Sequence, residues 1–147
     1  MAITYSEVED YRKQLYTDIE SQLRGLEDEL ASGRDQERIP IYLTKWRVKS
    51  INSIYLKTKR KNKTSLDEFT DIGGLRILCM FEQGLAPVHE YLVGILFDKG
   101  YRLLEFKVFN WRDENFTSAL KAQVDKLFKG YGWGLKDQQG SYKSIHY

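Results

Sequence analysis

Residues 38–66 read RIPIYLTKWRVKSINSIYLKTKRKNKTSL, nine Lys or Arg residues without one Asp or Glu. The segment Ile39 to Lys49 holds Ile41, Leu43 and Val48 after Pro40, which predicts a strand leading into a basic helix from Ser50 to Arg60. With Lys49 opening the helical spacing, Lys49, Ser53, Lys57 and Arg60 fall within an arc of roughly 80°. Ile51, Ile54 and Tyr55 lie on the opposite side. The segment can therefore pack against a core while gathering its cations, with Arg47 just upstream, toward a polyphosphate. Two plainer explanations compete. A solvated helix face also carries Lys and Arg, but it normally mixes signs, because like charges three or four residues apart repel. A nucleic-acid patch would use the run Lys57, Lys59, Arg60, Lys61 and Lys63. Leu56, beside the stripe, has no electrostatic role and could floor a base.

Upstream, Val8, Tyr11, Leu15, Ile19, Leu23, Leu26 and Leu30 step by threes and fours, predicting a long amphipathic helix that ends near Ser32-Gly33. Downstream, Lys61 to Ser65 reads as a polar loop and the apolar run Leu75 to Phe81 as a buried strand. A helix over 87–99 stops at Gly100. Tyr101 to Trp111 alternates, with Leu104, Phe106 and Val108 facing one way and Leu103, Glu105, Lys107 and Phe109 the other. A helix follows over 113–129, with Phe116, Leu120, Val124 and Leu127 inward, then a glycine-bearing loop over 130–140 and the start of a strand over 141–147. Helices alternating with strands predict an α/β (α+β) domain on a small mixed sheet with a long N-terminal helix.

The 147 residues suffice for a single domain, 1–147, with one core. Composition, at 41% hydrophobic and 30% charged, belongs to a soluble globular chain, and no apolar run approaches a membrane span. Cys79 is the only cysteine, so no internal disulfide forms and a reducing, cytoplasmic setting is expected. Net charge is only +2, yet residues 1–37 hold ten acids against four bases before the purely basic stretch begins. The basic surface is local, which suits a binding site better than general adhesion.

Asp71 precedes Ile72-Gly73-Gly74, where a carboxylate can project into a cleft or simply cap a turn. Beside the cationic stripe it suits magnesium held against phosphate oxygens. Arg76, in an apolar strand, would be costly unless paired, and an ion pair within the fold is the simpler explanation. Tyr142 and His146 share one side of a strand, so a ring and an imidazole could flank a ligand or merely pack. With His89 the only other histidine, there is no ligand set for structural zinc, and neither a hydrolase triad nor a Walker loop is present.

Three motifs in order carry a resemblance: Arg47-Val48-Lys49-Ser50-Ile51-Asn52-Ser53-Ile54 through Lys57 and Arg60, then Asp71-Ile72-Gly73-Gly74-Leu75-Arg76, then Gly140-Ser141-Tyr142-Lys143-Ser144-Ile145-His146. The chain resembles the synthetase domain of the RelA/SpoT family, makers of the alarmones ppGpp and pppGpp. The resemblance implies a nucleotidyltransferase-like mixed sheet flanked by helices and transfer of the β,γ-pyrophosphate of ATP to the ribose 3′-hydroxyl of GDP or GTP, releasing AMP. By the same resemblance, Arg47, Lys49, Ser53, Lys57 and Arg60 bind ATP, Asp71 holds Mg2+, and Arg76 supports that site. Tyr142 stacks on the acceptor guanine, with His146 and Lys136 as further acceptor contacts.

Two departures follow. The family's Lys-Pro-Asn-Gly-Tyr pattern is here Lys136-Asp137-Gln138-Gln139-Gly140-Ser141-Tyr142, which leaves acceptor choice open. Family members continue past the His146 strand into a strand with a Glu-x-Gln pattern, whose glutamate is the second acidic group, and this chain ends at Tyr147, before it. The expectation is therefore a truncated version of a longer protein, with Glu105 the one substitute carboxylate and an open sheet edge that invites homo-oligomers. No His-Asp hydrolase motif accompanies the synthetase motifs. Two alternatives stand beside the alarmone reading: a toxin-type relative that pyrophosphorylates adenine nucleotides or the tRNA 3′ end, and a non-catalytic nucleotide-binding module.

Overall fold

The computed structural model describes residues 2–138, 140 and 143–147. The chain forms two compact units, Met1–Met80 and Phe81–Tyr147. Its class is α+β, with small sheets and a long N-terminal helix.

In the first unit, helix α1 (Tyr5–Gln36) begins at Thr4, whose hydroxyl accepts from the Glu7 N–H while the Glu7 carboxylate accepts from the Thr4 N–H. It runs past the expected stop at Gly33. A helical glycine costs only about 1 kcal/mol, and Gly33 here is buried, its carbonyl accepting from the N–H groups of Glu37 and Ile39. Strand β1 (Leu43–Val48) pairs antiparallel with β2 (Gly73–Leu78), setting Lys45 opposite Arg76, Arg47 opposite Gly74 and Val48 opposite Gly73. One face of this ribbon, with Thr44, Trp46 and Gly73, packs on α1. There the Thr44 hydroxyl donates to Glu27 (3.2 Å) and the Arg24 guanidinium lies 5.0 Å from the Trp46 ring.

The other face bears Lys45, Arg47, Gly74 and Arg76 and is exposed. The expected buried strand is thus half-exposed and begins earlier, at Gly73. Arg76 is correspondingly not in an ion pair with any acid among the described residues. Its charge stays in water, so no buried partner is required.

Helix α2 (Ile51–Lys61) starts at Ser50, whose hydroxyl accepts from the Ser53 N–H, and ends at Asn62 in the left-handed region, φ 48°. Ile54 and Thr58 are buried, and Ile54 joins Ile3, Val8, Phe69 and Ile72 in the core. The glycine pair after Asp71 divides its duties. A Cβ on Gly73 would stand 2.6 Å from Ile19 Cγ2, whereas one on Gly74 would meet nothing within 4 Å. Gly73→Ala is therefore expected to destabilise the fold by about 1–3 kcal/mol in urea unfolding, and Gly74→Ala to leave it nearly unchanged.

In the second unit, helix α3 (Leu85–Asp98) precedes β3 (Glu105–Phe109), helix α4 (Glu114–Asp125), β4 (Gly132–Lys136) and β5 (Ser144–His146). The sheet order is β4-β3-β5, with β3 parallel to β4 and antiparallel to β5. Phe106 and Val108 face a core with Val93, Leu103, Leu120, Val124 and Phe128. The alternation expected from Tyr101 fails before Glu105: Leu103 is buried and Leu104 exposed, because the strand starts only at Glu105. The expected loop over 130–140 contains β4, since Trp133 packs across Phe106 and this tertiary contact overrides the poor strand preference of glycine.

His89 is buried, its ring against Phe106 and Tyr147. Its Nε2–H donates to the Leu120 carbonyl (2.9 Å) and its Nδ1 accepts from the Tyr147 hydroxyl. Burial holds its pKa below the ordinary 6.5, although the Leu120 carbonyl pulls the other way. Below pH 6.5 the unfolded chain therefore takes up a proton that the folded one refuses, and stability falls with pH until the folded value is reached. Melting temperatures measured from pH 7.5 to 5 should decline, with part of the slope abolished in His89→Gln. His146, whose pKa is lowered by burial and by Lys107, contributes in the same direction.

Candidate active site

The residues expected to bind ATP belong to the first unit. Lys49 lies between β1 and the α2 cap, and its backbone is fixed on both sides: its N–H donates to the Ile72 carbonyl (2.7 Å), and its carbonyl accepts from Arg12 Nε (2.7 Å). The helical spacing expected to open at Lys49 therefore begins only after the extended Ser50 cap, and Lys57 stands in the second turn of α2. Both ammonium groups reach Asp71. Lys57 Nζ donates to Oδ1 (2.8 Å) and Oδ2 (2.7 Å), and Lys49 Nζ donates to Oδ2. Burial alone would raise the Asp71 carboxyl, but the hydrogen bonds and charges of the two lysines outweigh it and hold it below the ordinary 3.8. Asp71 is thus ionised at neutral pH.

Around this triad the remaining donor-side residues are exposed. Arg47 and Arg76 stand on the free face of the β1–β2 ribbon, and Arg60 ends the stripe on α2. None of these three is in an ion pair with a described acid. The Ser53 hydroxyl is 3.0 Å from that of Ser50, and Leu56 is 65% exposed beside the stripe. Two residues join the site beyond those expected. Arg12 on α1 had no signal in the sequence. Lys45 did, since its spacing of two from Arg47 places both on one strand face. One carboxylate among several unneutralised cations suits a polyphosphate, with or without a divalent ion that the phosphates help to ligate.

The residues expected to contact the acceptor belong to the second unit. The face of its sheet turned away from the core carries Gly132, Gly134 and Lys136 on β4, Glu105, Lys107 and Phe109 on β3, and Ser144 and His146 on β5. Register sets Lys136 and Ser144 on either side of Phe109, and Gly134 and His146 on either side of Lys107. The His146 and Phe109 rings are 4.4 Å apart, and His146 Nε2 is 3.2 Å from Ser144 Oγ. Glu105 pairs with Lys107 at 2.9 Å. Asn110, with φ 63°, holds the end of β4: its N–H donates to the Lys136 carbonyl (2.9 Å), and its Oδ1 accepts from the Gln138 N–H (2.8 Å). His146 and Lys136 therefore share one sheet face, while Tyr142 lies outside the described residues.

A family model described as "Region found in RelA / SpoT proteins" matches residues 46–147. The chain belongs to the RelA/SpoT family. The matched region takes in every donor-side and acceptor-side residue expected from the motifs, and leaves α1, Arg12 and Lys45 outside it. At family level this makes the protein (p)ppGpp synthetase-like. No curated protein and no solved structure matches the chain. Among the described residues no three His, Cys, Asp or Glu side chains gather as a metal-binding group, and the carboxylate paired with Lys49 and Lys57 is Asp71. No described helix is long and apolar enough to cross a membrane.

Proposed function

We propose that this RelA/SpoT chain transfers the β,γ-pyrophosphate of ATP to the 3′-hydroxyl of GDP or GTP, forming the new O3′–Pβ bond as the Pα–O–Pβ bridge breaks and AMP leaves. The observation that carries the reading is the Asp71 carboxylate clasped by Lys49 and Lys57 among exposed arginines. Such a cluster is laid out for phosphate before any ligand arrives. Lys49, Lys57 and Arg60 would neutralise the triphosphate, with Ser53 as a hydroxyl contact and Arg47 and Arg76 along the nucleotide. Asp71 is the residue that would hold Mg2+, which supplies charge neutralisation at the transferring phosphoryl oxygens. Tyr142, His146 and Lys136 would hold the acceptor. Little covalent work falls to the protein, so positioning and charge supply the rate.

Incubation with magnesium, ATP and GDP or GTP, followed by anion-exchange separation, should give ppGpp or pppGpp together with AMP. Absence of both products would overturn the proposal. A second reading rests on the exposed run Lys59, Arg60 and Lys61 at the end of α2 and on the departure of residues 136–142 from the family pattern. It replaces the guanine nucleotide by an adenine nucleotide or the tRNA 3′ end. Product formed with those acceptors and not with GDP or GTP would favour it.

A further inference from the structure

We propose that Arg12 is a positioning residue of the phosphate-binding cluster: from α1 it fixes the peptide between Lys49 and Ser50, and so sets how the Lys49 and Lys57 ammonium groups stand toward a polyphosphate. This rests on the ATP reading above. The family motifs assign nothing to Arg12, which lies outside residues 46–147. Its importance comes from where its bond falls. Strand β1 ends at Val48, and the first bond of the α2 ladder runs from the Ile54 N–H to the Ser50 carbonyl (3.1 Å). The Lys49 carbonyl precedes that ladder and accepts from Arg12 Nε instead (2.7 Å). On its other side the Lys49 N–H is tied to the carbonyl of Ile72, the residue after Asp71. Because the peptide is planar, a carbonyl held by Arg12 also fixes the direction in which the chain enters Ser50. Ser50 is the cap from which α2 grows. The two lysines that clasp Asp71 thus come from opposite sides of this joint, Lys49 before it and Lys57 after it.

The plainer role for Arg12 is to dock α1, but other contacts already fill it. Val8 shares a core with Ile54 of α2, and the Tyr5 hydroxyl donates to Asn52 Oδ1 (2.9 Å) with the Tyr5 ring 5.4 Å from that of Tyr55. Nor does an acid claim Arg12: it is in no ion pair among the described residues, and its guanidinium lies 4.8 Å from the Tyr16 ring, one turn along α1. A charge-assisted bond from a half-buried guanidinium to one carbonyl is a strong restraint. With it, both lysine stems start from fixed points. Without it, a ligand must order the joint as it binds and loses part of its affinity to that ordering.

The test is calorimetric titration of the full chain with ATP and magnesium, in wild type, Arg12→Met, Arg12→Gln and Tyr5→Phe, with melting temperatures measured in parallel. Met keeps the stem and loses the donor, whereas Gln keeps an N–H as many bonds from Cα as Arg Nε and loses the charge. Arg12→Met should weaken ATP by about fivefold or more, and Arg12→Gln should stay within about twofold of wild type. Tyr5→Phe, which removes a bond between α1 and α2 away from Lys49, should lower the melting temperature and leave ATP affinity within about twofold. If Arg12→Met also binds ATP within about twofold of wild type, or Arg12→Gln folds and is as weak as Arg12→Met, Lys49 is not positioned through this bond while the ATP reading stands. Arg12→Gln decides alone if Arg12→Met does not fold: folded Arg12→Gln weakened about fivefold overturns the assignment. A loss of ATP affinity in Tyr5→Phe equal to that in Arg12→Met would assign the effect to α1 docking and overturn it too. If wild type binds no ATP, the ATP reading fails and takes this inference with it.

Discussion

Asp71→Asn is expected to bind metal-free ATP more tightly than wild type and yet to turn over at least about a hundredfold more slowly. The Lys49 and Lys57 ammonium groups both pair with the Asp71 carboxylate. A triphosphate arriving without a divalent ion must displace that carboxylate and then remain beside its negative charge. Removing the charge frees both cations. For a half-exposed cluster the gain is about 1 kcal/mol, or roughly fivefold in affinity. With magnesium the order should reverse, because on the proposed reading the phosphates would take the lysines while the carboxylate would take the metal, and the variant would lose the second partnership. Calorimetric titrations in EDTA and in magnesium, with product formation measured in parallel, separate the two effects. Metal-free affinity that is unchanged or weaker in the variant would show that Asp71 does not compete with phosphate. A related acid dependence follows in wild type: the stabilisation from this cluster is fully present above the ordinary carboxylate pKa of 3.8 and is lost as pH falls through the lower folded value.

The gathering of cations near Asp71 was legible in part because local rules determine much of it. Steps of four and three put Ser53, Lys57 and Arg60 on one face of α2, Ser50 marks the helix start, and Ile54 turns that helix so the cations face outward, whereas Lys49 precedes the cap and reaches Asp71 from the end of the strand, not from the helical spacing expected of it. What spacing could not give was who pairs with whom across the chain. Arg12 reaches the Lys49 carbonyl from a residue 37 positions away, on a helix face whose charges otherwise look merely solvated. The exposure of Arg76 was misjudged for a related reason. An apolar run flanked by breakers reads as doubly covered, but β2 is covered on one face only, by α1. On the acceptor side, period two told which β3 residues share a face and nothing about their neighbours. Strand β4 itself was hidden by Gly132 and Gly134, whose weak strand preference is overcome when Trp133 packs on Phe106.

Phe106→Ala should be the most damaging single change in the second unit. Phe106 is fully buried, and its ring lies 5.1 Å from Trp133, 5.3 Å from His89, 5.5 Å from Tyr147 and 6.3 Å from Tyr131. Truncation at such a site costs about 3–5 kcal/mol, comparable to the whole stability of a small domain at the low end of the usual range. The amides of β3, β4 and β5 should lose most of their hydrogen-exchange protection. Phe106→Leu, which keeps more of the volume, should lose less than half as much. The functional consequence follows from alternation on one short strand: Phe106 and Val108 face the core, while Glu105, Lys107 and Phe109 face away from it, on the side proposed for the acceptor. Lys107 and Phe109 are positioned only as firmly as Phe106 is packed, so guanine-nucleotide binding should disappear together with the protection of β3. Phe106→Ala that keeps both GTP affinity and β3 protection would mean that the acceptor face is held by something other than this core.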